Sequence, residues 1–207
     1  NIGRVTIDHD DPYDILLRAA DGEQTDGTIS QALADVAHVS GSVQSIYADR
    51  DDVRITGIRQ AAEFSQIGNG FSGASWNNLI VEDCVLQSGI FASGKGGVTI
   101  SGMIYRRNFG GALQCAASSA FGGSETSILN ATVENNIIRQ IAGSSDGIIL
   151  SATANDAGDT CTLNVTCRDN ASFGAGGDDF AEKTSGSGTA TVNGTYSNNA
   201  SSDGTAD

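Results

Sequence analysis

Proline and aromatic residues are scarce in this chain of 207 residues, which contains one proline and 6% aromatic residues. This scarcity argues against a loop-rich β-sandwich, whose turns and core draw on both. Long apolar runs are also missing, because no segment approaches the roughly 20 apolar residues that are needed to cross a bilayer. Insertion into a membrane is therefore not expected.

Lysine is equally scarce, since only Lys95 and Lys183 among the 11 basic residues are lysines, against 25 acidic residues and a net charge of −14. A surface without a basic patch cannot displace phosphate counterions, so nucleic-acid binding is not expected. Concentrated salt screens the self-repulsion of such a surface. The composition is typical of proteins from salt-loving archaea and their viruses, and an ordinary acidic secreted protein is the alternative.

The four cysteines match neither a metal-ligand spacing nor the density of a disulfide scaffold. Cys161 and Cys167 fall on one predicted strand, where six residues at about 3.3 Å each place them beyond disulfide reach. We therefore predict that most of the cysteines are buried free thiols that act as small hydrophobes.

Glycine is abundant, with 27 residues, and it separates short β-branched runs from Val53 onward. Residues 1–52 are less regular, and the apolar spacing of Ile29, Leu33 and Val36 predicts a short helix over 29–39. We expect one domain, with a capping region at 1–52 and repeating strands over 53–207. Because the chain opens at Asn1 without Met and stops within a motif at Asp207, we expect a portion of a longer protein.

A pattern of one apolar residue, two polar residues and then Asn or Cys recurs five times, at intervals of 24, 28, 34 and 29 residues. Variable intervals around a fixed strand register predict a right-handed parallel β-helix, an all-β solenoid. At the fourth position the asparagines are expected to form an internal ladder, with the alternative that Asn is simply common in turns. The segments are Val81–Cys84, Tyr105–Asn108, Val133–Asn136, Cys167–Asn170 and Tyr196–Asn199.

Five Asn-x-Ser/Thr triplets, which are glycosylation acceptors in exposed positions of secreted proteins, overlap this pattern. If the ladder forms, Asn170 and Asn199 face inward, and any sugar is expected only on Asn130, Asn164 and Asn193.

Two acidic segments near the end of the chain predict a cation site. Asp178 and Asp203 are 25 residues apart, close to one repeat, so they are expected at one edge of the solenoid. Adjacent carboxylates repel each other unless a cation lies between them, and Ca²⁺ accepts several oxygen ligands in loose geometry. The alternative is structural, because Asp-Gly pairs such as Asp203–Gly204 commonly form tight turns.

Residues 160–207 resemble the family 9 pectate lyases, whose β-helix carries Ala-Asp-Gly-Phe-Ala-x-Lys and, one coil later, Asn-Ser-Asp-Asp-Gly-x-Asp. The resemblance rests on Asp178, Phe180, Ala181 and Lys183 in the first motif and on Asp203–Gly204 in the second. It implies a parallel β-helix in which these aspartates bind a catalytic Ca²⁺.

The departures from that family limit what the resemblance implies. Ser202 and Ala206 replace two aspartates of the second motif, and Asp207 follows one residue late, so we assign the metal to Asp178, Asp203 and Asp207. The catalytic lysine of the family comes from a later coil, so no base is assigned and the enzyme question stays open. Lys183 is assigned to substrate binding instead.

Arg106 and Arg107 are further candidates for substrate binding, because guanidinium groups can clamp a sugar carboxylate. The alternative is that they pair with surface acids such as Glu82 and Glu134 on adjacent coils.

These observations predict an extracellular, surface-displayed or virion β-helix that binds an acidic polysaccharide or cell-surface glycan with help from Ca²⁺. Cleavage by Ca²⁺-assisted β-elimination stays an open question. A cation that bridges the acidic chain and the acidic polysaccharide would offset the repulsion between them. The rival class is a non-catalytic solenoid, either a tailspike-like virion component, which would form a homo-oligomer, or an adhesin or structural solenoid.

Overall fold

The computed structural model describes residues 52–60, 76–86, 90–94, 97–119, 124–139 and 146–205, together with short strands at 5–7, 15–18, 38–39, 46–48 and 67–68. Side chains are described for 52–58, 77–85, 97–119, 124–139 and 146–205. None of the described residues is helical, and the fold of this part of the chain is all-β with parallel sheets.

There are 22 strands among the described residues. In chain order they are β1 Val5–Ile7, β2 Ile15–Arg18, β3 His38–Val39, β4 Ile46–Ala48, β5 Val53–Thr56, β6 Arg59–Gln60, β7 Ile67–Gly68, β8 Trp76–Asn77, β9 Leu79–Glu82, β10 Val85–Leu86, β11 Ile90–Gly94, β12 Thr99–Arg106, β13 Phe109–Gly110, β14 Leu113–Ser118, β15 Thr126–Glu134, β16 Ile137–Arg139, β17 Ile148–Ala154, β18 Thr160–Arg168, β19 Ala171–Phe173, β20 Phe180–Gly186, β21 Thr189–Ser197 and β22 Ala200–Ser201.

Except for β8 and β9, which share a sheet, successive described strands belong to different sheets, and strands of neighbouring repeats pair in parallel. An eight-stranded sheet has the order β2-β5-β9-β12-β15-β18-β21, with β8 beside β12. A seven-stranded sheet has the order β22-β19-β16-β13-β10-β6-β3, and the two remaining sheets are β11-β14-β17-β20 and β1-β4-β7. From β9 to β22 the chain therefore visits the eight-, seven- and four-stranded sheets in turn.

Side chains alternate between the interior and the outside along the long strands, as expected for extended backbone. In β18, Cys161, Leu163, Val165 and Cys167 are buried, while the residues between them are at least partly exposed. The buried side chains of the eight- and four-stranded sheets form one apolar cluster. The core therefore lies between the sheets.

The predicted asparagine ladder is confirmed. Asn108 Nδ2 donates to Asn136 Oδ1 at 3.0 Å, Asn136 Nδ2 to Asn170 Oδ1 at 3.0 Å, and Asn170 Nδ2 to Asn199 Oδ1 at 3.1 Å. Each Oδ1 also accepts the backbone N–H of the ladder residue one repeat earlier, including Cys84 N–H at 3.1 Å. The amides thus tie neighbouring repeats together inside the fold.

The residue before each ladder position has a left-handed backbone, which Asn and Asp adopt more readily than other non-glycine residues. This conformation turns the chain sharply from the eight-stranded into the seven-stranded sheet, and it places the next side chain inside. The residues and their φ values are Asp83 at 54°, Arg107 at 54°, Asn135 at 55°, Asp169 at 56° and Asn198 at 54°.

The cysteine prediction is also confirmed, because Cys84, Cys115, Cys161 and Cys167 are all buried and free. Cys161 and Cys167 share β18, as expected. Burial raises the pKa of Cys84 and of Cys167 to about 12, so both thiols stay protonated at neutral pH.

The helix predicted over 29–39 lies outside the described residues except at its end. There His38–Val39 is strand β3, paired with β6, so the predicted boundary at residue 39 is wrong. The β-branched Val39 suits a strand, and sheet pairing has overridden the helical spacing at this point. Strands within 1–52 pair with later ones, as β2 does with β5, and the division at residue 53 stays a prediction.

Candidate functional site

The acidic residues of the predicted cation site lie where the chain enters the four-stranded sheet. Asp146 is buried just before β17, and Asp178 is exposed at the equivalent point before β20. Asp146 Oδ1 accepts the backbone N–H of Asp178 at 3.0 Å, and its Oδ2 forms an ion pair with Lys183. The hydrogen bond from Lys183 lowers the pKa of Asp146. Lys183, predicted to bind substrate, is thus engaged with a carboxylate of its own chain.

Asp203 is at the same edge, as predicted, although its contact is with the residue after Asp178. Its Oδ2 accepts the Asp179 backbone N–H at 2.7 Å, and its Oδ1 accepts the N–H and hydroxyl of Thr205 at 2.9 and 2.6 Å. The Thr205 hydroxyl, followed by the Asp179 N–H, lowers the pKa of Asp203 to about 2. Asp203 therefore stays ionised across the ordinary pH range.

Asp179 is a buried carboxylate that the sequence did not single out. Its Oδ2 accepts the backbone N–H and hydroxyl of Ser202, both at 2.6 Å, and its Oδ1 accepts the Ala175 N–H at 3.2 Å. The two Ser202 donors anchor the loop after β22 onto the loop before β20. The Asp-Asp sequence at 178–179 could have indicated a buried carboxylate. Adjacent residues that lead into a strand point to opposite sides, so one of the two faces inward.

Carboxylates at this edge suit a hard cation, since Ca²⁺ takes oxygen ligands and each carboxylate oxygen has a second lone pair. Asp178 offers an exposed carboxylate, and Asp203 offers one that is held ionised. Asp207 lies outside the described residues, and within the described part no three His, Cys, Asp or Glu side chains are grouped to hold a metal.

The predicted arginines form a cluster around Glu82. Arg106 Nε contacts Glu82 Oε2 at 2.6 Å, Arg107 Nη2 contacts the same oxygen at 2.8 Å, and Arg54 pairs with Oε1. Arg107 Nε also contacts Asp83 Oδ1 at 2.8 Å. The pairing with acids on an adjacent repeat is confirmed for Glu82, but its description as a surface acid is wrong, because its side chain is 0% exposed.

Glu134, the other acid predicted to pair with Arg106 or Arg107, has an ion pair with Arg168 at 2.5 Å. Arg106, Glu134 and Arg168 occupy matching positions on β12, β15 and β18, so charge alternates along this column. The register therefore gives Glu134 a basic neighbour on either side.

A groove of about 330 Å³ lies on the outside of the eight-stranded sheet, and its lining contains none of the residues predicted to bind metal or substrate. A stack of asparagines runs through it: Asn164 Nδ2 donates to Asn130 Oδ1 at 2.8 Å, and Asn193 Nδ2 donates to Asn164 Oδ1 at 2.9 Å. Thr132, Thr166 and Thr195 flank the stack at matching register positions.

This outer stack was missed, although the sequence carried a signal for it. Asn and Thr two residues apart face the same side of a strand, so each Asn-x-Thr triplet on β15, β18 and β21 places both residues in the groove. All five glycosylation triplets thus coincide with asparagine stacks, with Asn170 and Asn199 in the inner ladder and Asn130, Asn164 and Asn193 in the outer one.

The described part of the chain is all-β, and its parallel sheets carry stacked polar side chains both inside and outside. No protein-family model matches the chain, and no curated protein or solved structure matches it either. Within the described part, no helix is long and apolar enough to cross a membrane.

Proposed function

We propose that this chain is a right-handed parallel β-helix that acts outside the cell or on a virion and binds a polysaccharide. Parallel pairing between repeats, with the chain returning to the same sheets, supports the architecture. The inner asparagine ladder supports the kinship with pectate-lyase-like β-helices that the sequence indicates.

The observation that carries the binding function is the groove. Six of its ten lining residues carry an amide or a hydroxyl, and these groups donate and accept the hydrogen bonds that sugar hydroxyls need. It lies on a long sheet whose strands β15, β18 and β21 are in register over nine residues, so its shape is fixed by the backbone. A rigid, elongated polar groove suits an extended polymer.

The first prediction tests this function with Thr166, which flanks the outer stack. We expect the chain to be retarded on at least one immobilised polysaccharide from a panel of neutral and acidic polymers. Filling the groove by Thr166→Phe should abolish the retardation, because the ring would occupy the space of the ligand. The measurement is affinity electrophoresis or column retardation.

Thr153→Phe is the matched control, since Thr153 lies on the four-stranded sheet with its hydroxyl 2.9 Å from that of Ser185. It should bind as the unmodified chain does. Retardation by no polymer, or equal behaviour of the two variants, would contradict a glycan site in the groove.

A second candidate function is Ca²⁺-assisted cleavage of an acidic polysaccharide, favoured by the placement of Asp178 and Asp203 at one edge. Bound Ca²⁺ would neutralise a uronate carboxylate and acidify its C5 proton. The chain's own contribution is to hold Asp203 ionised through Thr205 and Asp179. The base that would accept the proton stays unassigned.

The second prediction concerns this cation. We expect Ca²⁺ to bind with a dissociation constant on the order of 10⁻⁴–10⁻³ M, as in extracellular modules, and to bind roughly tenfold more weakly in Asp178→Asn. Isothermal titration calorimetry measures both. Asp169→Asn is the matched control, because Asp169 is an exposed aspartate whose left-handed backbone suits asparagine. Equal Ca²⁺ affinity in the two variants would rule out Asp178 as a ligand.

A further inference from the structure

The outer surface of β15, β18 and β21 is free of charge over most of its length. Its first four rows contain eight threonines, three asparagines and Ile128. The fifth row contains Glu134 and Arg168, which pair with each other at 2.5 Å. The rows, from β15 to β21, are Thr126-Thr160-Thr189, Ile128-Thr162-Thr191, Asn130-Asn164-Asn193 and Thr132-Thr166-Thr195.

This lack of charge is unexpected in a chain of net charge −14 and points to a specific use of the face. Among the described residues that line the groove none is charged, so an anionic polymer would meet no cation there. The acidic chain as a whole would also repel it. The arginines and the lysine predicted to receive sugar carboxylates are paired with Glu82, Asp83 and Asp146 instead.

The outer asparagine stack suits a ligand that both donates and accepts hydrogen bonds. A primary amide has two N–H donors and two acceptor lone pairs. Asn164 uses one N–H toward Asn130 and one lone pair for Asn193, which leaves one donor and one acceptor. A sugar hydroxyl can satisfy both at once, whereas a carboxylate can only accept.

The outer asparagine stack runs perpendicular to the strands, from one strand to the next. Each strand contributes one Asn and one Thr to the groove, and neighbouring strands are about 4.8 Å apart, so the same pair of groups recurs at a constant interval. A polymer that lies perpendicular to the strands would meet equivalent groups at each step.

A bulge lies at one end of the groove. The pairing of β12 with β15 shifts between Ile100 and Met103, opposite Asn130, and Gly102 in this bulge has φ +69°. A Cβ on Gly102 would lie 2.5 Å from Asn78 Oδ1, so a larger residue would collide there. Glycine thus makes room for Asn78 of the preceding repeat at the end of the groove where the asparagine stack begins.

From these observations we infer that the ligand of the groove is an uncharged polysaccharide that runs along the outer asparagine stack and binds without a divalent cation. The inference rests on the proposed glycan-binding function and names its ligand class. Because the described lining contains no aromatic side chain, each sugar contributes mainly hydrogen bonds, and affinity grows with the number of strands that a polymer spans.

The third prediction uses dextran, mannan and a mixed-linkage β-glucan as neutral probes and polygalacturonate as the acidic probe, each with Ca²⁺ and with EDTA. We expect at least one neutral polymer to bind, with an affinity that neither EDTA nor added salt changes, because no charge takes part. Asn164→Asp should weaken this binding about tenfold, since the carboxylate loses the donor to both ligand and Asn130.

Asn198→Asp is the matched control, because it adds the same charge at an exposed asparagine outside the groove, and it should bind normally. Circular dichroism confirms that both variants fold. Binding of polygalacturonate alone would overturn the inference and leave the proposed glycan function standing. Equal weakening in the two variants would overturn the placement along the stack, and binding of no polymer would overturn both proposals.

Discussion

Glu82→Gln is expected to lower the free energy of unfolding by about 3 kcal/mol, near the lower end of the range for breaking a buried ion pair. The Glu82 side chain is 0% exposed and contacts Arg54, Arg106 and Arg107. Without its charge, three guanidinium groups are left close together, and Asp83 still pairs with Arg107. The arginines are 30–51% exposed, so water recovers part of the loss. Urea unfolding of both chains measures the difference.

Glu134→Gln is the matched control, because the Arg168 in its ion pair is 50% exposed. An exposed pair of this kind contributes about 1 kcal/mol or less. If the two variants lost equal stability, the arginine cluster would have no special role in the fold.

The effect of Glu82→Gln should also depend on pH. Burial raises the pKa of Glu82, but hydrogen bonds and charges from Arg106 and Arg54 outweigh it, so the pKa lies below the usual 4.5. A carboxyl whose folded pKa is lowered stabilises the fold fully above its unfolded pKa, and it loses this contribution as pH falls through the folded value. The difference between the two chains should therefore be complete at pH 7 and shrink below about pH 4.5.

Asn136→Ala is expected to cost about 4 kcal/mol, because it removes several buried hydrogen bonds at once. The Asn136 amide donates to the Tyr105 carbonyl at 3.0 Å and to Asn170 Oδ1, and it accepts the backbone and side-chain N–H groups of Asn108. Alanine leaves these buried partners unsatisfied. The midpoint of urea unfolding should fall accordingly.

Asn193→Ala is the matched control on the exposed outer stack, where water replaces the lost partner. Its cost should stay below about 1 kcal/mol. Equal costs at Asn136 and Asn193 would mean that the inner ladder is not what joins neighbouring repeats.

The sequence predicted the inner ladder because the fourth position of the repeated segment is fixed by the backbone. The residue before it, such as Asn135 or Asp169, has the same left-handed backbone from repeat to repeat, so each turn has a similar shape. The register at Asn108, Asn136, Asn170 and Asn199 could therefore be obtained from the repeated segment, although the intervals between segments vary.

The partners of individual side chains in ion pairs and stacks were harder to predict, because the register between strands of different repeats decides which side chains meet. Arg106 was expected to have an acidic neighbour, but the burial of Glu82 depends on three arginines that converge from two other repeats. The outer asparagine stack was missed because Asn130, Asn164 and Asn193 were interpreted as glycosylation acceptors rather than as members of aligned strands. Local patterns in a sequence do not show what lies one repeat away.

The turn that contains each inner-ladder asparagine has a constant length, with residues 107–108, 135–136, 169–170 and 198–199 between consecutive strands. The next connection, toward the four-stranded sheet, ranges from residues 111–112 to residues 140–147. Insertions during evolution can accumulate at that second corner without disturbing the first. The same corner is the natural place to graft a foreign peptide, because the stacked amides would continue to set the alignment of the strands on either side.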